Sequence, residues 1–196
     1  MQLRKITRLI LASRSPRRKD LLEQVGIPIE IRPSSVNEKK VAEDHPENYA
    51  RTLSRLKAEE TARTFPGDWV LGADTIVVVQ NKILGKPETE SHAFEMLSEL
   101  NNREHKVVTG FCLSNRDLGQ QFTQSVETRV LFKNCTKEEL FWYIKTGEPF
   151  GKAGAYAIQG KGAFLVKSIT GSYTNVVGLP VCEVIDQMNS LDLIQF

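Results

Sequence analysis

Cysteine and histidine are scarce, with three of each in 196 residues. Cys112, Cys135 and Cys182 lie far apart, without zinc spacing and without the even count of a disulfide framework, as expected in a reducing compartment. Cys112 and Cys182 both stand in apolar contexts and are expected to be buried structural thiols. His45, His92 and His105 each stand alone in polar surroundings, which argues against a zinc site or a histidine-based triad. Strong charge of either sign is also missing. A net charge of +2 is too small for a general polyanion binder, so a small phosphorylated ligand fits better than a long nucleic acid. The nine phenylalanines are assigned mostly to core faces, which removes the basic stripe with interleaved aromatics that single-stranded nucleic acid requires. No apolar run approaches the ~20 residues of a membrane span. Residues Met1 to Arg8 are basic but lack the apolar stretch and cleavage site of a signal peptide, so a cytoplasmic protein is expected. Finally, no Gly-x-x-x-x-Gly-Lys-[Ser/Thr] run is present, so a P-loop is not indicated.

What is present reads as one domain spanning residues 1–196, or two lobes sharing a sheet, long enough to bury a core. Leu9 to Ala12 is a buried strand. Ser15 as N-cap, Pro16 as N1 and Gly26 at C′ bound a helix on which Leu21, Leu22 and Val25 share a face. Ile29 to Arg32 is a strand, followed by a polar loop through Asn37, Glu38, Lys39 and Lys40. A helix from about Pro46 to Thr64 carries Tyr49, Leu53 and Leu56, with Ala50 and Ala58, on its inner face. Trp69 to Leu84 is a hairpin turning at Gln80-Asn81-Lys82, and Glu90 to Leu100 is an amphipathic helix. Val107–Leu113 and Phe122–Phe132 are paired strands, and Thr136 to Glu139 form a capping box for a helix ending at Lys145. Short strands are expected at Ala155–Ile158 and Ala163–Lys167, with a last helix from Pro180. Hairpins interleaved with crossing helices predict a mixed α/β sheet.

Two stretches point to chemistry. In the first, Leu11-Ala-Ser13-Arg14-Ser-Pro-Arg17-Arg18-Lys19, two arginines crowd a helix N-terminus whose dipole already favours anions. Either both extend into water, or an anion held by Ser13, Arg17, Arg18 and free backbone N–H groups resolves the conflict; the strand, cap and proline in register favour the anion. In the second, Asp74 is a single carboxylate inside the apolar run Val70 to Val79. Either it ends the strand in water, or it is buried and must be protonated, paired or metal-bound. The run resumes as Ile76-Val77-Val78-Val79, which favours burial and places Asp74 at a bulge or sheet bend. Lys86, in Gly85-Lys86-Pro87, reads alone as an exposed turn lysine. The glycine-dense segment Gly147 to Gly162 contains Gln159, whose amide offers a donor and an acceptor, as base reading requires. Tight hairpin turns explain those glycines equally well.

Taken in order, these pieces resemble the Maf-like nucleoside triphosphate pyrophosphatases from Leu9 to Met188. The matching residues are Leu-Ala-Ser13-Arg-Ser-Pro-Arg17-Arg18, Lys57 in Arg-Leu-Lys-Ala, Gly72-Ala-Asp74-Thr75, Gly85-Lys86-Pro87 and Val108-Thr-Gly110. Lys152 through Gln159-Gly160, Gly171-Ser-Tyr and Val176 through Pro180 complete the match. The resemblance implies an elongated α/β fold of the inosine-triphosphatase kind, with two lobes about a cleft, often dimeric. It implies cytoplasmic, metal-dependent hydrolysis of a nucleoside triphosphate to monophosphate and pyrophosphate, a house-cleaning activity. Asp74 matches the catalytic proton acceptor. Ser13, Arg17, Arg18, Lys57, Thr75, Lys86 and Gln159 match substrate-binding positions, and Glu38 with Asp74 matches the site for Mg²⁺, Mn²⁺ or a similar cation. Arg17, Thr75 and Gln159 together resemble the dTTP/UTP-cleaving branch. The alternatives are 7-methyl-GTP or another modified nucleotide as substrate, and a non-catalytic nucleotide-binding regulator of septum formation. Two positions depart from the pattern. Arg14 stands where a small residue is common, and Asn37 where an acidic residue is usual, which leaves one carboxylate fewer beside Glu38.

Overall fold

A seven-stranded mixed sheet organises the chain. The computed structural model describes residues 2–3, 8–38, 41 and 45–196. The expected polar loop after Ile31 therefore runs partly, at Lys39 and Lys40, outside the described residues, as does most of the basic N-terminal stretch. In chain order the elements are β1 (Gln2–Leu3), β2 (Leu9–Leu11), α1 (Pro16–Gln24), β3 (Ile29–Ile31), α2 (Pro46–Thr64), β4 (Trp69–Val79) and β5 (Lys82–Leu84). There follow α3 (Glu90–Leu100), β6 (Glu104–Asn115), β7 (Gln120–Phe132), α4 (Lys137–Lys145), β8 (Val166–Thr170), α5 (Tyr173–Val177), α6 (Val181–Ser190) and β9 (Ile194–Gln195). The sheet order is β3-β2-β4-β6-β7-β8, with β5 paired to β4. β2 pairs in parallel with both β3 and β4, whereas β4–β5 and β7–β8 are antiparallel. A separate antiparallel ribbon joins β1 to β9. The mixed α/β architecture expected from the sequence is the one observed. No helix among the described residues is long and apolar enough to cross a membrane.

Contacts divide the chain into two compact units. The first comprises Met1–Asp74, Thr109–Val126 and Gly178–Phe196; the second comprises Thr75–Val108 and Glu127–Val177. In the first unit, α2 lies directly on the strand backbone. A Cβ placed on Gly72 would come within 2.3 Å of the Ser54 carbonyl oxygen, and one on Gly110 within 2.2 Å of that of Ala50. Contact this close needs glycine on the strands and small residues on the helix. The inner face of α2 is accordingly Ala50, Leu53, Ser54, Lys57, Ala58, Thr61 and Ala62. Tyr49 and Leu56, expected there for their apolarity, are only half-buried. In the second unit, Val77, Leu97, Leu100, Phe132, Tyr143 and Leu165 are among the core residues.

The hairpin turn between β4 and β5 is tighter than expected. Gln80 and Asn81 alone form it, both with positive φ, as a two-residue turn matched to strand twist requires. The Thr136–Glu139 capping box is present. The strand expected at Ala155–Ile158 is absent, and the one at Ala163–Lys167 is displaced. Short 3-10 helices cover Ala153–Ala155 and Gly160–Leu165, and β8 begins only at Val166. The short helix α5 was not expected, and α6 begins at Val181, with Pro180 as its N-cap.

Several environments also differ from expectation. Cys182 is exposed rather than buried, on the outer side of α6. Cys112 is buried, and burial pushes its thiol up to about 11. His105 is buried rather than solvated, with Nε2 2.8 Å from the Tyr156 hydroxyl and edge-on contacts to Phe132 and Tyr156. Of the nine phenylalanines only Phe111 and Phe132 are fully buried, while Phe141, Phe150 and Phe196 are exposed.

Candidate active site

Asp74 is the last residue that strand β4 contributes to the first unit, and α2 supplies its partner. Lys57 lies one turn beyond Leu53 on the buried face of α2, where an unpaired ammonium would be costly. Its Nζ donates to Asp74 Oδ1 at 2.6 Å, and Glu38 Oε1 lies 2.6 Å from the same nitrogen. The Lys57 and Asp74 side chains retain only 11% and 12% of their exposure, against 40% for Glu38. A buried carboxylate is thus neutralised by an ammonium that a second, more accessible carboxylate shares. Asp74 is buried and paired, one of the alternatives the sequence left open.

The segment after β2 adds cations. Ser15 caps α1 by position but makes no side-chain cap bond; its N–H donates instead to Ser13 Oγ at 3.2 Å. Arg18 is buried, not solvated. Its Nη1 donates to Ser13 Oγ at 3.0 Å and its Nε to the Gly178 carbonyl at 2.8 Å. Burial lowers the Arg18 guanidinium from its ordinary value; the Asp74 charge opposes that shift, Arg17 adds to it and Glu38 again opposes it. Arg17 is half-buried and Arg14 exposed. The first unit therefore gathers Ser13, Arg17, Arg18, Glu38, Lys57 and Asp74 into one electrostatic cluster of three cations and two carboxylates.

The remaining sequence candidates belong to the second unit. Thr75, which follows Asp74 in β4, is half-buried, while Lys86 and Gln159 are exposed. Gln159 stands on a loop anchored by Glu148, a residue that the sequence did not single out. Glu148 Oε1 accepts from the Gly162 N–H at 2.8 Å and the Tyr143 hydroxyl at 3.1 Å, and Oε2 accepts from the Lys161 N–H at 3.0 Å. A carboxylate between Gly147 and Pro149, within a glycine-dense segment, was the available signal. The Gly178 carbonyl gave none, since a backbone acceptor leaves no mark in sequence.

Two carboxylate oxygens converging on one ammonium also bear on metal binding. Among the described residues no group of three His, Cys, Asp or Glu side chains could form a cage for a metal ion. Mg²⁺ is commonly held by one or two carboxylates together with substrate phosphates. Glu38 and Asp74 fit that mode: they already place oxygens about a single cation.

A family model described as Maf-like protein matches residues 8–191. Among curated relatives, the chain is 45% identical over 189 residues to a protein of Syntrophus aciditrophicus, covering 96% of this chain and 92% of that one. It is 48% identical over 189 residues to a protein of Syntrophotalea carbinolica, covering 95% and 86%. A protein of Halalkalibacterium halodurans is 46% identical over 173 residues, covering 88% and 90%. All three are named dTTP/UTP pyrophosphatase. Among solved structures, the Staphylococcus aureus Ham1 protein is similar with a TM-score of 0.45 at 14% identity, covering 64% of this chain and 72% of that one.

Proposed function

The chain belongs to the Maf-like proteins, and we propose that it hydrolyses dTTP and UTP to the nucleoside monophosphate and pyrophosphate. The observation that carries this reading is the buried Lys57–Asp74 pair with Glu38 beside it, in a chain 45–48% identical to relatives named for that activity.

In this reading Asp74 accepts the proton of the water that attacks the α-phosphorus. Lys57 fixes the carboxylate through Oδ1 and keeps positive charge beside the reacting phosphate. Glu38 and Asp74 would hold a divalent cation, which when bound supplies charge to the phosphate oxygens. Arg17, Arg18 and Lys86 would bind the triphosphate, the planar guanidiniums in two-point contacts and the lysine as a point charge. Arg18 has five N–H donors, two of which go to Gly178 and Ser13, so the protein fixes its orientation before any phosphate arrives. Such preorganised charge is the largest contribution expected in phosphoryl chemistry. Thr75 and Gln159 would read the pyrimidine base.

The test is a panel of dTTP, UTP, CTP, GTP, ATP and 7-methyl-GTP with Mg²⁺, resolving monophosphate, pyrophosphate and phosphate. Monophosphate plus pyrophosphate from dTTP and UTP is the expected product pair. No turnover of either nucleotide would overturn the reading. In Asp74→Asn, kcat should fall at least ~1,000-fold while nucleotide affinity stays within a few-fold, since the variant removes the base but not the phosphate ligands.

A further inference from the structure

The loop that carries Gln159 is tied on both sides to one pair of side chains. Upstream, the Ala157 N–H donates to the Tyr143 hydroxyl at 3.2 Å. Downstream, the Lys161 and Gly162 N–H groups donate to the two oxygens of Glu148. Tyr143 and Glu148 are themselves joined, hydroxyl to carboxylate, at 3.1 Å. Residues 157 to 162 therefore arch over the Tyr143–Glu148 pair, with Gln159 exposed at the crest. The packing leaves no slack. A Cβ on Gly160, whose φ is +64°, would lie 2.6 Å from Glu148 Oε2, and one on Gly162 would lie 2.7 Å from the Tyr143 hydroxyl oxygen.

Both members of the pair are held in turn. Tyr143 is fully buried on α4. The Glu148 N–H donates to Thr146 Oγ1 at 3.2 Å, and its carbonyl accepts from Lys152 Nζ at 2.6 Å. Burial alone would raise the Glu148 carboxyl, but the amides of Lys161 and Gly162 and the Tyr143 hydroxyl outweigh it and lower it. The ionised form is the one that accepts all three bonds.

We infer that Glu148, locked by Tyr143, is a positioning residue that sets the reach of Gln159 and thereby the enzyme's choice of base. The inference rests on the proposed pyrimidine nucleotide hydrolysis and on Gln159 as its base reader. A uracil or thymine edge presents an N–H donor beside a carbonyl acceptor, and one amide side chain meets both only from a fixed position. An arch free to shift by an ångström would bind the triphosphate as before but distinguish bases less well. Neither Glu148 nor Tyr143 need touch the nucleotide.

The experiment compares kcat and KM for UTP and CTP in the wild type, Glu148→Gln, Tyr143→Phe, Gln159→Ala and the Glu148→Gln/Gln159→Ala double variant. Glu148→Gln keeps an acceptor for Gly162 and Tyr143 but turns an NH₂ group toward the Lys161 N–H. The expected result is a KM for UTP raised about 5- to 10-fold, with kcat within about two-fold. The UTP-to-CTP ratio of kcat/KM should fall toward that of Gln159→Ala. The double variant should discriminate no worse than Gln159→Ala, because both changes act through one side chain. Tyr143→Phe should move the ratio the same way by less, and it decides the matter if Glu148→Gln fails to fold. An unchanged ratio in Glu148→Gln and Tyr143→Phe, beside a lowered one in Gln159→Ala, would overturn the inference and leave the proposed function standing. An unchanged ratio in Gln159→Ala would remove Gln159 as base reader, and the inference with it. A wild type that cleaves neither nucleotide would overturn both.

Discussion

Lys57 serves two carboxylates at once, and its removal takes away the ammonium they share. In Lys57→Met, of similar volume, loss of the direct ammonium partner of the buried Asp74 should cost about 3 kcal/mol in urea denaturation with EDTA present. Adding Mn²⁺ should recover part of that loss if Glu38 and Asp74 bind a divalent ion; a midpoint indifferent to Mn²⁺ would show that they do not. His105 offers a second residue-level prediction. Burial lowers it to about 4, so between pH 6.5 and 4 the unfolded chain binds a proton that the native chain refuses. Stability is therefore fully present above pH 6.5 and falls with pH across that window, by up to about 3 kcal/mol. In His105→Gln this part of the acid loss should vanish from urea midpoints taken at pH 7.5 and 5. At this scale the sequence was informative about Asp74 but not about its partner. An aspartate in an apolar run has few fates, whereas Lys57 looks like any helix lysine until α2 is laid on the sheet. His105 was misread because its sequence neighbours Glu104 and Lys106 are polar. In a strand, however, adjacent side chains point to opposite faces.

The contact between α2 and the sheet is where element geometry fixes chemistry. Because Gly72 meets the helix backbone at Ser54 and Ala58, Gly72→Ala must push α2 outward. That helix carries Lys57, and the strand carries Asp74 two residues on. The substitution should destabilise by about 3 kcal/mol and also lower kcat by more than ten-fold under conditions where the variant is fully folded. A fully active Gly72→Ala would mean that the pair tolerates the displacement. Most elements could be read from periodicity, caps and turn residues, and α2 and α3 match their expected limits. The misreadings share a cause. The inner face of α2 was assigned by apolarity, although close approach selects small residues instead. Likewise, Ala155–Ile158 and Ala163–Lys167 have strand-like composition, but the Ala157 amide is taken by the Tyr143 hydroxyl rather than by a neighbouring strand, and a 3-10 helix over Gly160–Leu165 runs into the second segment.

For the molecule as a whole, the small net charge predicts weak long-range steering of an anionic substrate. Phosphate recognition must then come from cations at short range, which salt screens less. Raising NaCl from about 0.05 to 0.5 M should increase KM for UTP no more than about five-fold at constant free Mg²⁺, with kcat unchanged. A much steeper dependence would indicate a field that the sequence does not carry. The mixed α/β class was legible at this scale, because hairpins and crossing helices alternate. The order in which distant segments combine was not: nothing local announces that the first unit takes its residues from three separate stretches. One bond within that unit joins residues 160 positions apart, from the Arg18 guanidinium to the Gly178 carbonyl. On the ribosome, Arg18 is made 160 residues before its anchor. A nascent polypeptide halted before Gly178 would already bear every proposed catalytic and substrate-binding residue, yet lack the carbonyl that orients its buried arginine. The aim of that arginine is thus a property of the assembled unit, not of the segment that carries it.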